Sequence, residues 1–127
     1  MGTSILLVDD NAIQAATRKA ILERAGWSIV VSSNAPDALQ LLENPDFFHS
    51  IGLIITDHLM PLMNGPEFVN ILRKLFSDVP VLVISGLPDA EEEYDSLSVV
   101  FRLKPFAPDQ LIHLVRALIA GPMSRTA

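Results

Sequence analysis

At 127 residues, half of them hydrophobic and only 19% charged, the chain is long enough for one domain with a sizeable core and too apolar to remain disordered. A formal charge of −6 and a pI of about 4.8 leave no broad basic face for a phosphate backbone, so direct nucleic-acid binding is not expected. With no cysteine there are no disulfides and no thiolate metal sites, and His49, His58 and His113 lack the spacing of a zinc site.

The first apolar run, Ile5–Val8, reads as a strand buried on both faces, and it ends at two adjacent carboxylates, Asp9 and Asp10. What precedes it is too short for a signal or a membrane span, and Leu6 stands where N-myristoylation needs Ser or Thr. A soluble, cytoplasmic protein without membrane insertion is therefore expected. A first helix can end at Gly26, and Trp27–Val31 reads as the second strand. Asn34, three residues before Asp37, resembles the cap of a second helix. Ile51–Ile55 is the third strand, with Asp57 behind it; Asn64-Gly65-Pro66 then introduces a third helix with the stripe Phe68, Ile71, Leu72, Leu75.

Val81–Ile84 forms the fourth strand candidate and is followed by Ser85. Pro88 to Ser98 contains Glu91-Glu92-Glu93 and few residues to pack inward, which predicts a short, exposed fourth helix. Val99–Leu103 is the fifth strand, closed by Lys104-Pro105, and Leu111, Leu114, Val115 and Leu118 mark a last helix that should stop at Gly121-Pro122. One domain over residues 1–121, a polar tail over 122–127 and no output domain are expected. Five alternations of strand and helix imply right-handed crossovers, hence an α/β fold with a parallel sheet and helices on both faces.

Ligands of open α/β sheets bind at the carboxyl-terminal edge. If the first and third strands are parallel neighbours, Asp9, Asp10 and Asp57 converge there, where they either raise a pKa within the group or hold a hard, oxygen-seeking cation, for which Mg²⁺ is the expected occupant. Ser85 and Lys104 would share that edge. Singly, each reads as an ordinary turn or loop residue; jointly, acids for a cation, a hydroxyl and an ammonium are the equipment for stabilising a phosphoryl group. Asp57 is the acid placed to act as nucleophile and form an acyl phosphate.

The motifs Val8-Asp9-Asp10, Asp57-His58-Leu59-Met60-Pro61 with Asn64-Gly65, Ile84-Ser85-Gly86 and Lys104-Pro105-Phe106, in that order, resemble the receiver domains of two-component response regulators, the CheY-like family. The resemblance covers essentially the whole chain. It implies strand order 2-1-3-4-5, and phosphoryl transfer to Asp57 from the phosphohistidine of a histidine kinase or phosphotransfer protein. It further implies Mg²⁺ held by Asp10, Asp57 and the Leu59 carbonyl with Asp9 assisting through water, Lys104 on a phosphoryl oxygen, and Ser85 moving to another, with Phe101 as the aromatic switch. Catalysis would serve only the chain's own phosphorylation and dephosphorylation, and a downstream protein would read the switch.

Against the family pattern, the interval from Ser85 to Lys104 is short, the Ala-Gly-Ala type turn before the fifth strand is missing, and Ala107 stands at the start of the last helix where Ser often caps. Asp109 offsets part of that loss. Ile112 and Ile119 lie outside the main inward stripe, either as a partner surface or, on balance, as a wider buried stripe. Ile13, Gln14, Thr17, Pro105 and Phe106 match the kinase-docking position, though some of them should be core. Leu59 and Leu87 supply no polar group to orient water, which predicts slow self-dephosphorylation. The competing functions are a receiver fold used as a docking module without phosphorylation, and a haloacid dehalogenase-type phosphatase, whose Asp-x-Asp is absent from Asp9-Asp10-Asn11. A flavodoxin-like FMN binder is weaker still, because no glycine-rich phosphate loop follows the first strand.

Overall fold

Every apolar run identified above pairs into one parallel sheet. In a computed structural model describing residues 4–76, 78–105 and 107–126, with side chains described to residue 119, the strands are β1 (Ser4–Val8), β2 (Ser28–Ser32), β3 (Ile51–Asp57), β4 (Val81–Ser85) and β5 (Val100–Leu103). They lie in the order β2-β1-β3-β4-β5. The helices are α1 (Ala12–Arg24), α2 (Ala35–Leu42), α3 (Pro45–Ser50), α4 (Gly65–Leu75) and α5 (Pro108–Thr126), with a 3₁₀ segment at Pro88–Tyr94.

Strand residues alternate between two cores, which is why these strands are apolar throughout. Leu6, Val8, Ile54, Val81 and Val83 pack with Ala38 and Leu42 of α2 and with Phe68 and Leu72 of α4. On the other face, Ile5, Leu7, Leu53, Ile55, Leu82 and Ile84 meet Ala15 and Leu22 of α1 and Leu111 and Val115 of α5. Ile112 and Ile119 are half-buried against this second cluster, the wider-stripe alternative.

The caps act where the sequence places them. Asn34 Oδ1 accepts the Asp37 N–H at 2.8 Å, and Asn64 with Glu67 forms a reciprocal capping box at 3.0 Å in both directions. Gly26 takes φ +110 just past α1, a left-handed conformation that glycine adopts without a Cβ penalty. At α5 the Ala107 N–H is satisfied by Gln110 Oε1 at 2.8 Å, a compensation supplied by a residue other than Asp109.

Two elements differ from expectation. Helix α3 was not anticipated; six residues are too few to display a period, although Asn44 before Pro45 caps it by accepting from Asp46 N at 2.9 Å. Helix α5 runs to Thr126, so the tail expected over 122–127 is helical over its described residues, 122–126.

The expected short fourth helix is the 3₁₀ segment, but it is anchored: Ala90 and Tyr94 are buried while the acidic run faces water. The turn after it contains two left-handed serines, Ser96 (φ 69) and Ser98 (φ 57), each costing on the order of 1 kcal/mol. Arg73 of α4 offsets this cost, donating to the carbonyls of Leu97 (2.7 Å), Val79 (2.6 Å) and Ser98 (2.9 Å). Replacement Arg73→Met keeps the aliphatic stem and removes these charge-assisted bonds. It should lower unfolding free energy by about 2–4 kcal/mol with unchanged m-value in urea; a loss below about 0.5 kcal/mol would show that the turn holds itself.

Candidate functional site

Register brings the site together. Val8 pairs with Thr56, so the next residue, Asp9, lies beside Asp57; Asp57 pairs with Ile84, and Ser85 with Leu103, so Ser85 and Lys104 follow at the same edge. Backbone hydrogen bonds lock these strand ends: Asp9 N–H to Ser32 O (3.0 Å), His58 N–H to Ile84 O (3.1 Å) and Lys104 N–H to Ser85 O (2.8 Å). The Lys104-Pro105 peptide is cis.

One carboxylate oxygen from each of Asp9, Asp10 and Asp57 lies within 4.8 Å of the others, so the three predicted acids do converge. Asp10 is exposed, while Asp9 and Asp57 are 1% and 4% exposed. A hard oxygen donor set of this size fits a divalent cation such as Mg²⁺. Lys104 reaches in from β5, its Nζ 3.3 Å from Asp57 Oδ1. Ser85 is buried, and its Oγ accepts from the Leu87 N–H at 2.9 Å. Leu59 is 65% exposed beside the mouth, whereas Phe101 is buried on the inner face of β5.

Two side chains of α1 complete the site. Gln14 Nε2 donates to Asp9 Oδ2 at 2.9 Å and to Asp57 Oδ2 at 3.0 Å. One turn on, buried Arg18 places Nη1 3.2 Å from both Asp9 Oδ2 and Asp57 Oδ1. The sequence reading assigned Gln14 only to a docking surface and missed Arg18 altogether. Its signal was a charge set in the inward stripe Ala15, Arg18, Leu22. Ile13, at 81% exposed, and Thr17 and Pro105, also exposed, are not core as some of that group was expected to be; Phe106 lies outside the described residues.

Behind the site, His58 is buried with Nδ1 2.7 Å from Tyr94 Oη and Nε2 3.4 Å from Glu93 Oε2. Burial, with the Glu93 charge adding to it, pushes the Tyr94 phenol well up, so the group paired with His58 Nδ1 is the neutral phenol. Tyr94 also packs tilted on Phe101, ring centres 5.9 Å apart. Gly65 is required beneath it, since a Cβ there would collide with Tyr94 Oη and crowd the His58 carbonyl at 3.2 Å.

Comparison with known proteins agrees with this geometry. The family profile described as response regulator receiver domain matches residues 5–116. The response regulator Rre1 of Synechocystis is 32% identical over 92% of this chain and 52% of its own length. The heme response regulator HssR of Staphylococcus saprophyticus is 30% identical over 92% and 51% respectively. The chain thus spans about half the length of the curated relatives it matches. Among solved structures, the receiver domain of Francisella response regulator 1452 superposes with TM-score 0.83 at 29% identity, covering 99% of this chain and all of that one. A receiver domain of a signal transduction histidine kinase from Syntrophus aciditrophicus gives 0.84 at 28%, over 94% and 92%.

Burial, and then the hydrogen-bonded neighbouring charge of Asp9, raise Asp57 to about 6, with Arg18 and Lys104 pulling the other way. A carboxyl whose folded pKa exceeds its unfolded value stabilises the fold below the unfolded pKa and loses that contribution as pH rises through the folded one. Native protein in EDTA should therefore lose stability relative to Asp57→Asn between pH 4 and 6, by on the order of 3 kcal/mol. Urea melts of both proteins across that window check it; parallel pH profiles would refute the shift.

Proposed function

The chain belongs to the response regulator receiver family, and we propose that within it Asp57 is the phosphoacceptor of a two-component switch. The observation that carries this reading is the convergence of Asp9, Asp10 and Asp57 at one sheet edge with the Lys104 ammonium 3.3 Å from the acceptor. An Asp57 oxygen attacks the phosphorus of a phosphohistidine; the O–P bond forms as the P–N bond breaks, and the bonding pair returns to the imidazole of the donor. Asp10, Asp57 and the Leu59 carbonyl would hold Mg²⁺, with Asp9 assisting. When bound, the cation neutralises charge on the transferring phosphoryl group. Lys104 pairs with a phosphoryl oxygen. Ser85, whose Oγ accepts from the Leu87 N–H, turns its O–H to another, and that turn carries the loop from Ser85 to Leu87 with it.

On this reading the chain modifies only itself and is not an enzyme acting on a separate substrate. Its donor is a histidine kinase or phosphotransfer protein docking at Ile13, Gln14, Thr17 and Pro105, its target is a downstream protein, and it touches no nucleic acid itself. Among the described residues no helix is long and apolar enough to cross a membrane, and we place the domain, residues 1–121, in the cytoplasm. The burial of Asp57 beneath Gln14 and Arg18 favours a second reading, a docking module that is never phosphorylated.

Intact mass after incubation with acetyl phosphate and Mg²⁺ separates the two. The native chain should gain one phosphoryl group and Asp57→Asn none; no gain in the native chain, or equal gain in both, would remove Asp57 as acceptor. Once formed, the acyl phosphate should decay slowly, because exposed Leu59 and Leu87 flank the mouth without a group to orient water. Leu59→Asn should shorten its lifetime about tenfold, less than the roughly 10²–10⁴-fold of a full general acid or base because an amide orients water without taking its proton; equal or longer persistence would rule out this cause.

A further inference from the structure

Arg18 has no part in the transfer just described, yet it is the one buried cation of α1 and it spans the two buried carboxylates. Both oxygens of Asp57 are engaged by the chain's own donors: Oδ1 by Arg18 and Lys104, Oδ2 by Gln14. Asp9 Oδ2 takes Gln14 and Arg18 together, and Asp9 Oδ1 takes the Asn11 N–H at 2.9 Å. Mg²⁺ demands near-octahedral oxygen ligands at about 2.0–2.1 Å, so it needs lone pairs that these N–H groups hold. A guanidinium cannot yield by losing its proton. It yields only by moving, and a cleft of about 370 Å³ lined by Gln14, Thr17, Arg18 and Ile21 adjoins it.

We propose that Arg18, assisted by Gln14, is a resident counter-cation that competes with Mg²⁺ for Asp57 and Asp9, so that divalent affinity is set by how readily the guanidinium withdraws. This rests on the reading of Asp9, Asp10 and Asp57 as the magnesium site. It makes Arg18 a positioning residue: its role is to hold the acids in register and to tune access to them, without touching the phosphoryl group. Lys104, which follows β5, engages the same Asp57 oxygen with its own side chain about one-third exposed (34%).

Isothermal titration of the full chain with MgCl₂ at pH 8, above the titration range of Asp57, tests this on native protein, Arg18→Leu, Arg18→Lys and Gln14→Ala. Arg18→Leu should bind Mg²⁺ about tenfold tighter or more, Gln14→Ala about threefold tighter, and Arg18→Lys close to native. In EDTA, Arg18→Leu should melt below native, and saturating Mg²⁺ should raise its melting temperature by more than it raises that of native. A folded Arg18→Leu with equal or weaker affinity would overturn the proposal and leave Arg18 a purely structural pillar. If Arg18→Leu does not fold, Gln14→Ala decides, and unchanged affinity there overturns it. No binding by any folded form would sink the magnesium reading and this inference together, whereas native binding that no variant tightens would sink only the inference.

Discussion

Two carboxylates almost sealed from water, at the ends of adjacent strands, are the constraint around which this molecule is arranged. Asp9 and Asp57 are forced together by the pairing of β1 with β3, a register held in place by the buried apolar residues of both strands on the two faces of the sheet. Desolvating a single carboxylate costs several kcal/mol, and two in contact add mutual repulsion. The chain answers with two cations and an amide. Arg18 and Gln14 come from the helix that β1 feeds, and Lys104 from the far strand. Without that compensation the register itself would be opposed electrostatically, so the helix packing on β1 and the charge balance of the site are one problem with one solution.

That solution extends behind the sheet edge. His58 follows Asp57 directly and is held to Tyr94, which leans on Phe101 of β5 and lies over Gly65 at the start of α4. The 3₁₀ segment that stands in place of a regular fourth helix is therefore not loosely draped. Its last residue is tethered to His58, the neighbour of Asp57, and the turn beyond it is gripped by Arg73 from α4. A displacement at Asp57 meets a contiguous series of packed rings and hydrogen bonds reaching β5, the physical substrate that coupling between a site and a distant face requires. The 3₁₀ segment that carries Tyr94 is itself only seven residues long.

The strands, their order by resemblance, and the convergence of Asp9, Asp10, Asp57 and Lys104 were all legible in the sequence for a common reason. A strand buried on both faces leaves an unbroken apolar run, and the first polar residue after it marks the edge where chemistry occurs. Arg18 was illegible because a charged residue on a helix ordinarily faces water. Only its place between Ala15 and Leu22, in a stripe whose other members are buried, hinted otherwise. The pairing of His58 with Tyr94 joins residues 36 apart, one in a turn and one in an acidic run that reads as solvated, and no local period records such a contact. Helix α3 is shorter than two turns, and the continuation of α5 past Gly121-Pro122 runs against two weak helix formers.

The guanidinium of Arg18 has two effects on Asp57 that pull in opposite directions, and their balance decides what the site is ready to do. It occupies an Asp57 oxygen, yet together with Lys104 it lowers a carboxyl that burial and Asp9 have pushed up. At about 6 the group remains mostly ionised at neutral pH, roughly nine parts in ten, so the buried acid is still an anion and a more basic one than an exposed aspartate. With burial and Asp9 pushing the carboxyl up, loss of either cation would drive it further towards the protonated form. The same guanidinium both occupies Asp57 Oδ1 and compensates its charge, so a leucine at position 18 would remove the two effects together.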